Sequence, residues 1–192
     1  AMARDPQRES ELTELQILVP MNRGLVGIAQ LNPLLQKWIN KNAGLGPSLS
    51  MGASTFYLHD RVIQLVNNYD KDIFNGDIGY VEKIDKAASV LKVRFFNQLV
   101  EYKSEEMSEL SLAYAITIHK AQGSEYKNVL ILLANEHYIL LQRNLLYTAI
   151  TRAKERVYII GTAKALRIAV SRTDVANRNT LLADRIRKQL NP

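Results

Sequence analysis

The sequence predicts an α/β protein interrupted by a small β-barrel. Three observations carry this. Short apolar runs of strand length (Leu15–Val19, Ala115–Thr117, Val129–Leu133 and Val157–Ile160) alternate with polar loops and with apolar residues at helical spacing, as buried strands and helices do. From about Ser54 to Leu110 the texture changes to several short β-type runs separated by tight turns. Between the second and third apolar runs lies a loop dense in polar side chains, Thr117 to Glu125, at the carboxyl end of a strand, where open α/β sheets collect ligands.

Taken in order, residues 1–11 are polar and read as a tag or linker, Ala1–Met2–Ala3 as a cloning remnant with the natural chain extending upstream. Leu15–Val19 is a compact apolar run closed by Pro20. Met21–Gly24 forms a loop, and helical material follows from Val26. Pro33 lacks an amide hydrogen and clashes with the preceding turn, so it either starts a new helix capped by Asn32 or kinks one. Leu34, Leu35, Trp38 and Ile39 supply the apolar face of that helix up to about Asn42, and Gly44, Gly46 and Pro47 end it. Arg23, just past a strand's carboxyl end, reads either as a solvated surface arginine or as a guanidinium placed to reach a phosphate.

The middle segment carries strands at Arg61–Val66, Ile78–Ile84, Val90–Phe96 and Leu99–Tyr102. Turn signals Asn67–Asn68, Asn75–Gly76–Asp77, Asp85–Lys86 and Asn97–Gln98 separate them. Val90, Lys92, Arg94 and Phe96 alternate with Leu91, Val93 and Phe95, as in a strand with two faces. Tyr57, Arg61, Tyr69, Lys71 and Phe74 are either barrel core and plain surface or a set able to hold a nucleic-acid strand by stacking and charge.

In the loop after Thr117, the hydroxyls of Thr117 and Ser124, Lys120 and Gly123 have the chemistry to cradle phosphates, and Glu125 that of a ribose acceptor. His119 beside Lys120 suggests a general base, yet no serine or cysteine nucleophile motif accompanies it. Tyr138–Thr151 reads as a helix with Leu140, Leu141, Leu145, Thr148 and Ala149 on one stripe. Residues 166–192 form a tail, helical in its second half around Leu181, Leu182, Arg185 and Ile186.

Composition bounds the class. The 192 residues are 47% apolar, ordinary for a globular protein. No apolar run approaches bilayer length and there is no signal-peptide pattern, so no membrane is expected. Cysteine is absent and the three histidines are widely spaced, which argues against a metal site and fits a cytoplasmic protein. The net charge of +6 is uneven: from Thr151 to Pro192 ten Lys or Arg face three acids, +7, leaving −1 elsewhere. A basic end suits a polyanion, nucleotide or nucleic acid, and equally a solvated helix.

Three stretches carry a resemblance. Thr117–Glu125 (TIHKAQGSE) resembles motif V of superfamily 1 helicases in the wording of the RecD-like branch, the exodeoxyribonuclease V alpha-subunit type. Leu145–Gly161 (LLYTAITRAKERVYIIG) is similar to motif VI, and Leu18–Gly24 (LVPMNRG) resembles motif IV, all in the family's order. The run HDRVIQLVNNYDKDIFNGDIGYV resembles the SH3-like subdomain inserted into the second RecA-like domain.

The resemblance implies a second RecA-like motor domain over residues 12–50 and 111–165, an SH3-like insertion over 51–110, and the tail over 166–192. It implies that Arg152 and Arg23 act catalytically, meeting the γ-phosphate of ATP. Lys120, Gln122, Gly123 and Glu125 would bind ATP, and Thr117 and His119 would couple the nucleotide to DNA. Tyr57, Arg61 and Tyr69 would touch single-stranded DNA. The physical logic for Arg152 is that phosphoryl transfer spreads charge over the equatorial oxygens, which an arriving guanidinium stabilises.

What is missing matters equally. No Gly is followed by Lys, so there is no phosphate-binding P-loop, and no Asp-Glu pair follows an apolar strand to hold Mg²⁺. The expectation is the C-terminal motor half of an ATP-dependent DNA helicase moving 5′ to 3′. It would be inactive alone, with ATP and Mg²⁺ held mainly by an N-terminal RecA-like domain, and with recombination or repair subunits as further partners. The rivals are a non-enzymatic nucleic-acid-binding module with no ATP chemistry, and the helicase part of a conjugative relaxase.

Overall fold

The computed structural model describes residues 14–173 together with Arg187 and Gln189. Four strands form a parallel sheet: β1 (Leu15–Val19), β9 (Ala115–Thr117), β10 (Tyr126–Leu133) and β11 (Ala153–Gly161), in the order β11-β10-β1-β9. Leu18 pairs with Ile131 on one side and Ile116 on the other, so the first apolar run of the sequence sits inside the sheet. Helix α1 (Ile28–Ile39) follows β1, α2 (Arg143–Ile150) precedes β11, and α3 (Ala163–Ser171) follows it.

Between α1 and β9 the chain builds a hairpin, β2 (Ser48–Met51) and β3 (Ser54–Tyr57), then an antiparallel sheet. Its strands are β4 (Arg61–Gln64), β5 (Ile78–Asp85), β6 (Val90–Phe95), β7 (Gln98–Lys103) and β8 (Leu110–Leu112), in the order β7-β6-β5-β4-β8. The alternation read along residues 90–96 is the β6 pattern, with Leu91, Val93 and Phe95 turned into the core. The fold class, RecA-like α/β carrying an inserted SH3-like β-structure, is the one expected.

Two apolar cores hold the two parts. One gathers Leu18, Ile116, Ile118, Val129, Ile131, Leu141 and Leu146, the other Phe56, Val62, Leu91, Val93, Phe95 and Tyr102. Strand β4 belongs to both, because successive side chains point to opposite faces. Val62 enters the barrel core while Ile63 enters the core around the parallel sheet.

Helix α1 overturns one expectation. Leu34 is 54% and Trp38 85% exposed, and the buried residues are Asn32 and Gln36, with Asn40 just after the helix. These three lie four residues apart, one above another on a helical face. Asn32 is no cap: its amide bonds the Leu112 and Ala115 carbonyls at 2.8 and 3.1 Å and accepts from the Ala115 amide at 2.7 Å. Gln36 and Asn40 donate to the buried Asp60 carboxylate, which also accepts from the Tyr57 amide at 2.7 Å and the Tyr114 hydroxyl at 2.8 Å. The buried face of α1 is a polar ladder joined to both ends of the inserted segment. The helix runs through Pro33, which is exposed, without a new start.

Two further differences have physical causes. The expected helix over 138–151 begins only at Arg143, because a 3₁₀ turn at Asn135–His137 and an irregular stretch precede it. The expected buried strand at 157–160 exists within β11 but is largely exposed: it pairs only with β10, at the sheet's edge. The tail helix expected around Leu181–Ile186 lies outside the described residues. Among the described residues no helix is long and apolar enough to cross a membrane.

Candidate functional site

The loop after β9 is pinned by its apolar members. Ile118 and Ala121 are fully buried, and the Ile118 amide bonds the Val19 carbonyl at 3.0 Å. Successive turns follow: Ala121 N to Thr117 O, Gln122 N to His119 O and Ser124 N to Ala121 O, at 3.1 to 3.2 Å. With Ile118 and Ala121 inward, His119, Gln122, Gly123 and Glu125 are left on the surface. Thr117 Oγ1 accepts from the Lys120 amide at 3.3 Å. Lys120 is half-buried, and burial lowers its ammonium pKa below the usual lysine range. Gly123 has φ +86° with nothing near the position a Cβ would take, so its exposed backbone is open to approach.

Helix α2 faces this loop. His119 and Gln122 on one side and Leu140, Gln142, Asn144, Leu145 and Thr148 on the other enclose a cleft of about 310 Å³. At the helix's end Arg152 ties the two motifs together. Its Nε donates to the Thr148 carbonyl at 3.2 Å, one Nη to the Ser124 carbonyl at 3.1 Å, and the other to Thr151 Oγ1 at 3.2 Å. The Arg152 carbonyl accepts from the Tyr126 amide at 2.8 Å. A guanidinium has five N–H groups, so these three bonds leave two for an anion, among the described residues. Glu125, beside Ser124, meets Lys154 at 3.3 Å, both 60% exposed, an ion pair of little energetic weight.

Arg23 is exposed in the loop beyond the carboxyl end of β1. Arg152 precedes the amino end of β11, whereas Arg23 follows the carboxyl end of β1. The family resemblance assigns both arginines to the γ-phosphate of ATP. Arg152 is grouped with the loop from His119 to Glu125, and the loop that bears Arg23 is met by Glu136, a residue that carried no sequence signal. Glu136 accepts hydrogen bonds from the Leu25 and Val26 amides.

In the insertion, Tyr69 is 76% exposed and meets Phe74 edge to face, ring centroids 5.9 Å apart at 77°. That pair is an open aromatic platform. Tyr57 is half-buried and, with Lys37, Asn22 and Thr55, lines a cavity of about 470 Å³ between α1 and the β2–β3 hairpin. Arg61 is half-buried and donates to the Leu15 carbonyl at 3.1 Å, bracing the insertion against β1. Lys71 turns inward: it pairs with Glu106 at 2.8 Å, donates to the Glu101 carbonyl at 2.7 Å and lies 4.4 Å over the Tyr102 ring. No group of three His, Cys, Asp or Glu that could hold a metal is found among the described residues.

Comparison with known proteins places the chain in a family. The family model described as the ATP-dependent RecD-like DNA helicase SH3 domain matches residues 31–95, and that of the UvrD-like helicase C-terminal domain matches residues 112–160. The chain belongs to the RecD-like helicase family. The first match begins inside α1, whose polar ladder is bonded to the insertion. The chain is 42% identical over 173 residues to the ATP-dependent RecD2 DNA helicase of Deinococcus radiodurans, covering 90% of this chain and 23% of that protein. It is 30% identical over 188 residues to the RecBCD enzyme subunit RecD of Mycolicibacterium smegmatis, covering 97% of this chain and 31% of that one. The chain therefore spans about a quarter to a third of these relatives' length. In fold it is similar to the Bacteroides Pif1 helicase solved with ADP-AlF3 and single-stranded DNA, with TM-score 0.56, 18% identity, and coverage of 91% of this chain and 45% of that one.

Proposed function

We propose that this RecD-like chain is the C-terminal motor half of an ATP-dependent DNA helicase. The division of labour we propose is a second motor domain over residues 12–50 and 111–165, an inserted DNA-facing subdomain over 51–110, and a tail beyond 165. The observation that carries the reading is the Arg152 guanidinium. It links the end of α2 to the Ser124 carbonyl, next to Glu125 and beside the cleft lined by His119 and Gln122.

In this reading the nucleotide is held mainly by a first motor domain outside this chain, which would also supply the Mg²⁺ ligands. ATP is the substrate, and this chain closes over it. Arg152 offers its two unused N–H groups to the charge that develops on the transferring phosphoryl group. Gln122 and the open backbone at Gly123 border the same region, Glu125 accepts from a ribose hydroxyl, and Lys120 adds positive charge from behind the loop. Arg23, in the loop after β1, meets the nucleotide's γ-phosphate once the domains close. Thr117 and His119 join the loop to β9 and transmit its position toward the DNA.

Single-stranded DNA then runs along the insertion, with bases stacking on Tyr69 and Phe74 and with Tyr57 at the neighbouring cavity. Arg61 serves as a brace rather than a DNA contact, since its guanidinium is directed at the Leu15 carbonyl. Alternating closure and release would drive movement, 5′ to 3′ in the direction the family resemblance implies. Association with recombination or repair subunits is the extension that the RecBCD relatives suggest.

The test is DNA-stimulated ATPase by the helicase polypeptide that carries this chain, wild type against Arg152→Ala. A loss on the order of 10³-fold in kcat with DNA binding retained is expected, the effect typical of an arginine finger. Unchanged turnover would remove Arg152 from the chemistry and favour the binding-module reading.

A further inference from the structure

Glu136 stands just past the carboxyl end of β10, in the turn Asn135–His137. Its carboxylate reaches across to the loop that bears Arg23. Oε2 accepts from the Leu25 amide at 3.2 Å, and Oε1 from the Val26 amide at 2.6 Å. These are the second and third residues after Arg23, and amide bonds to an ionised carboxylate are of the strong, charge-assisted kind. The loop is shaped to accept it. Gly24 has φ +103°, and a Cβ there would come within 3.0 Å of Oε1. A residue with a side chain would meet both backbone strain and the carboxylate.

The rest of the loop is wound onto the first turn of α1. The Gly27, Ile28 and Ala29 amides bond the Gly24, Met21 and Asn22 carbonyls at 3.2, 3.4 and 3.1 Å. Gly27 admits no substitute, since a Cβ would lie 2.5 Å from the Asn22 and Arg23 carbonyl oxygens. Glu136 is itself backed by His137, which is fully buried. His137 Nδ1 accepts from the Ala134 amide at 3.1 Å, so the ring proton sits on Nε2, 3.7 Å from Glu136 Oε1. Backbone and glycines are thus fixed on every side of Arg23, while the Arg23 side chain is left exposed.

We propose that Glu136 is a positioning residue for Arg23, latching the loop from β10 so that the guanidinium meets an anionic group from one set direction. The inference rests on the reading that Arg23 contacts the nucleotide's phosphates. It links β10 to the loop after β1, so a displacement of either strand end is felt at Arg23.

The experiment compares DNA-stimulated ATPase of the helicase polypeptide carrying this chain in five forms: wild type, Arg23→Ala, Glu136→Ala, Glu136→Gln and the double Arg23→Ala/Glu136→Ala. Misplacing a contact group by about 1 Å costs on the order of a hundredfold, so Glu136→Ala should lower kcat/KM by about tenfold to a hundredfold. It should reproduce the division between kcat and KM that Arg23→Ala gives, and add less than about twofold in the Arg23→Ala background. Glu136→Gln keeps one acceptor oxygen and should recover part of the loss, with single-strand DNA affinity unchanged in both. Normal kinetics for Glu136→Ala alongside impaired Arg23→Ala overturns the latch and leaves the Arg23 reading standing. Normal kinetics for Arg23→Ala overturns both. Full additivity in the double variant overturns the latch by showing that Glu136 acts elsewhere. If Glu136→Ala does not fold, the Glu136→Gln comparison decides by the same criteria.

Discussion

Replacing Asp60 by Ala should uncouple the parallel sheet from the inserted β-structure, and the cost can be worked from the structure. Asp60 is fully buried and accepts from Gln36, Asn40, the Tyr57 amide and the Tyr114 hydroxyl. On truncation, Gln36 keeps the Thr55 carbonyl at 2.8 Å and Asn40 keeps the Leu58 carbonyl at 2.9 Å. The buried Tyr114 hydroxyl loses its acceptor, and the Tyr57 amide loses this one. A buried donor left unmade costs about 1–3 kcal/mol, and relief of the buried carboxylate's desolvation offsets part of that. The net destabilisation is about 3 kcal/mol. Tyr114→Phe removes donor and bond together and should cost only about 1 kcal/mol.

Urea unfolding followed by far-ultraviolet circular dichroism measures both, since the single Trp38 is 85% exposed and a poor reporter. Asp60→Ala within about 0.5 kcal/mol of wild type, or Tyr114→Phe matching it in cost, would refute the hub as drawn. The pH dependence has a definite sign. Burial raises the Asp60 carboxyl pKa above its ordinary value of 3.8 despite the four donors. Between the unfolded value and the raised folded one, the native state binds more protons, so this group's contribution grows as pH falls. Relative to Asp60→Asn, which cannot titrate, wild type should gain stability on acidification through that window, with the gain complete below 3.8.

Two further outcomes are expected. Tyr69→Ala and Phe74→Ala should each weaken single-strand DNA binding by about 1–3 kcal/mol with little change in stability, measured by fluorescence anisotropy; no loss in either would remove the stacking platform. Gly79→Ala should destabilise strongly, because a Cβ there lies 2.7 Å from Val93 and 2.8 Å from the Arg94 carbonyl, whereas Gly123→Ala meets only backbone strain at φ +86° and should cost about 1 kcal/mol. Thermal melts compare the two, and equal cost would contradict the packing around β5.

Much of the fold was legible in the sequence. Strand β1 has the predicted limits and β9 the predicted end, because compact apolar runs bounded by Pro20 or by polar loops leave few alternatives. The insertion was legible from turn chemistry and from the alternation along β6. Helix α1 was not: periodicity counts apolar residues, but its buried face is Asn32, Gln36 and Asn40, satisfied by carbonyls and by Asp60 more than fifteen residues away. The β2–β3 hairpin was missed because Ser48–Tyr57 is too polar to stand out as a strand pair.

At the site, the loop from Thr117 to Glu125 and Arg152 were legible as motifs, and the structure brings Arg152 to Ser124. Glu136 was not, since a lone Glu on a polar turn means nothing until the fold carries it to the Leu25 and Val26 amides. Arg61 and Lys71 looked like surface cations in sequence, but their long side chains are turned inward onto the Leu15 carbonyl and onto Glu106.

The most direct test of the motor account is the affinity of the helicase polypeptide for a ground-state ATP analogue and for ADP-aluminium fluoride, wild type against Arg152→Ala. A residue that acts on developing charge binds the transition state and not the substrate. The account predicts that Arg152→Ala weakens the aluminium fluoride complex by on the order of 10³-fold while changing ground-state affinity little. Equal weakening of both, or of neither, would contradict it.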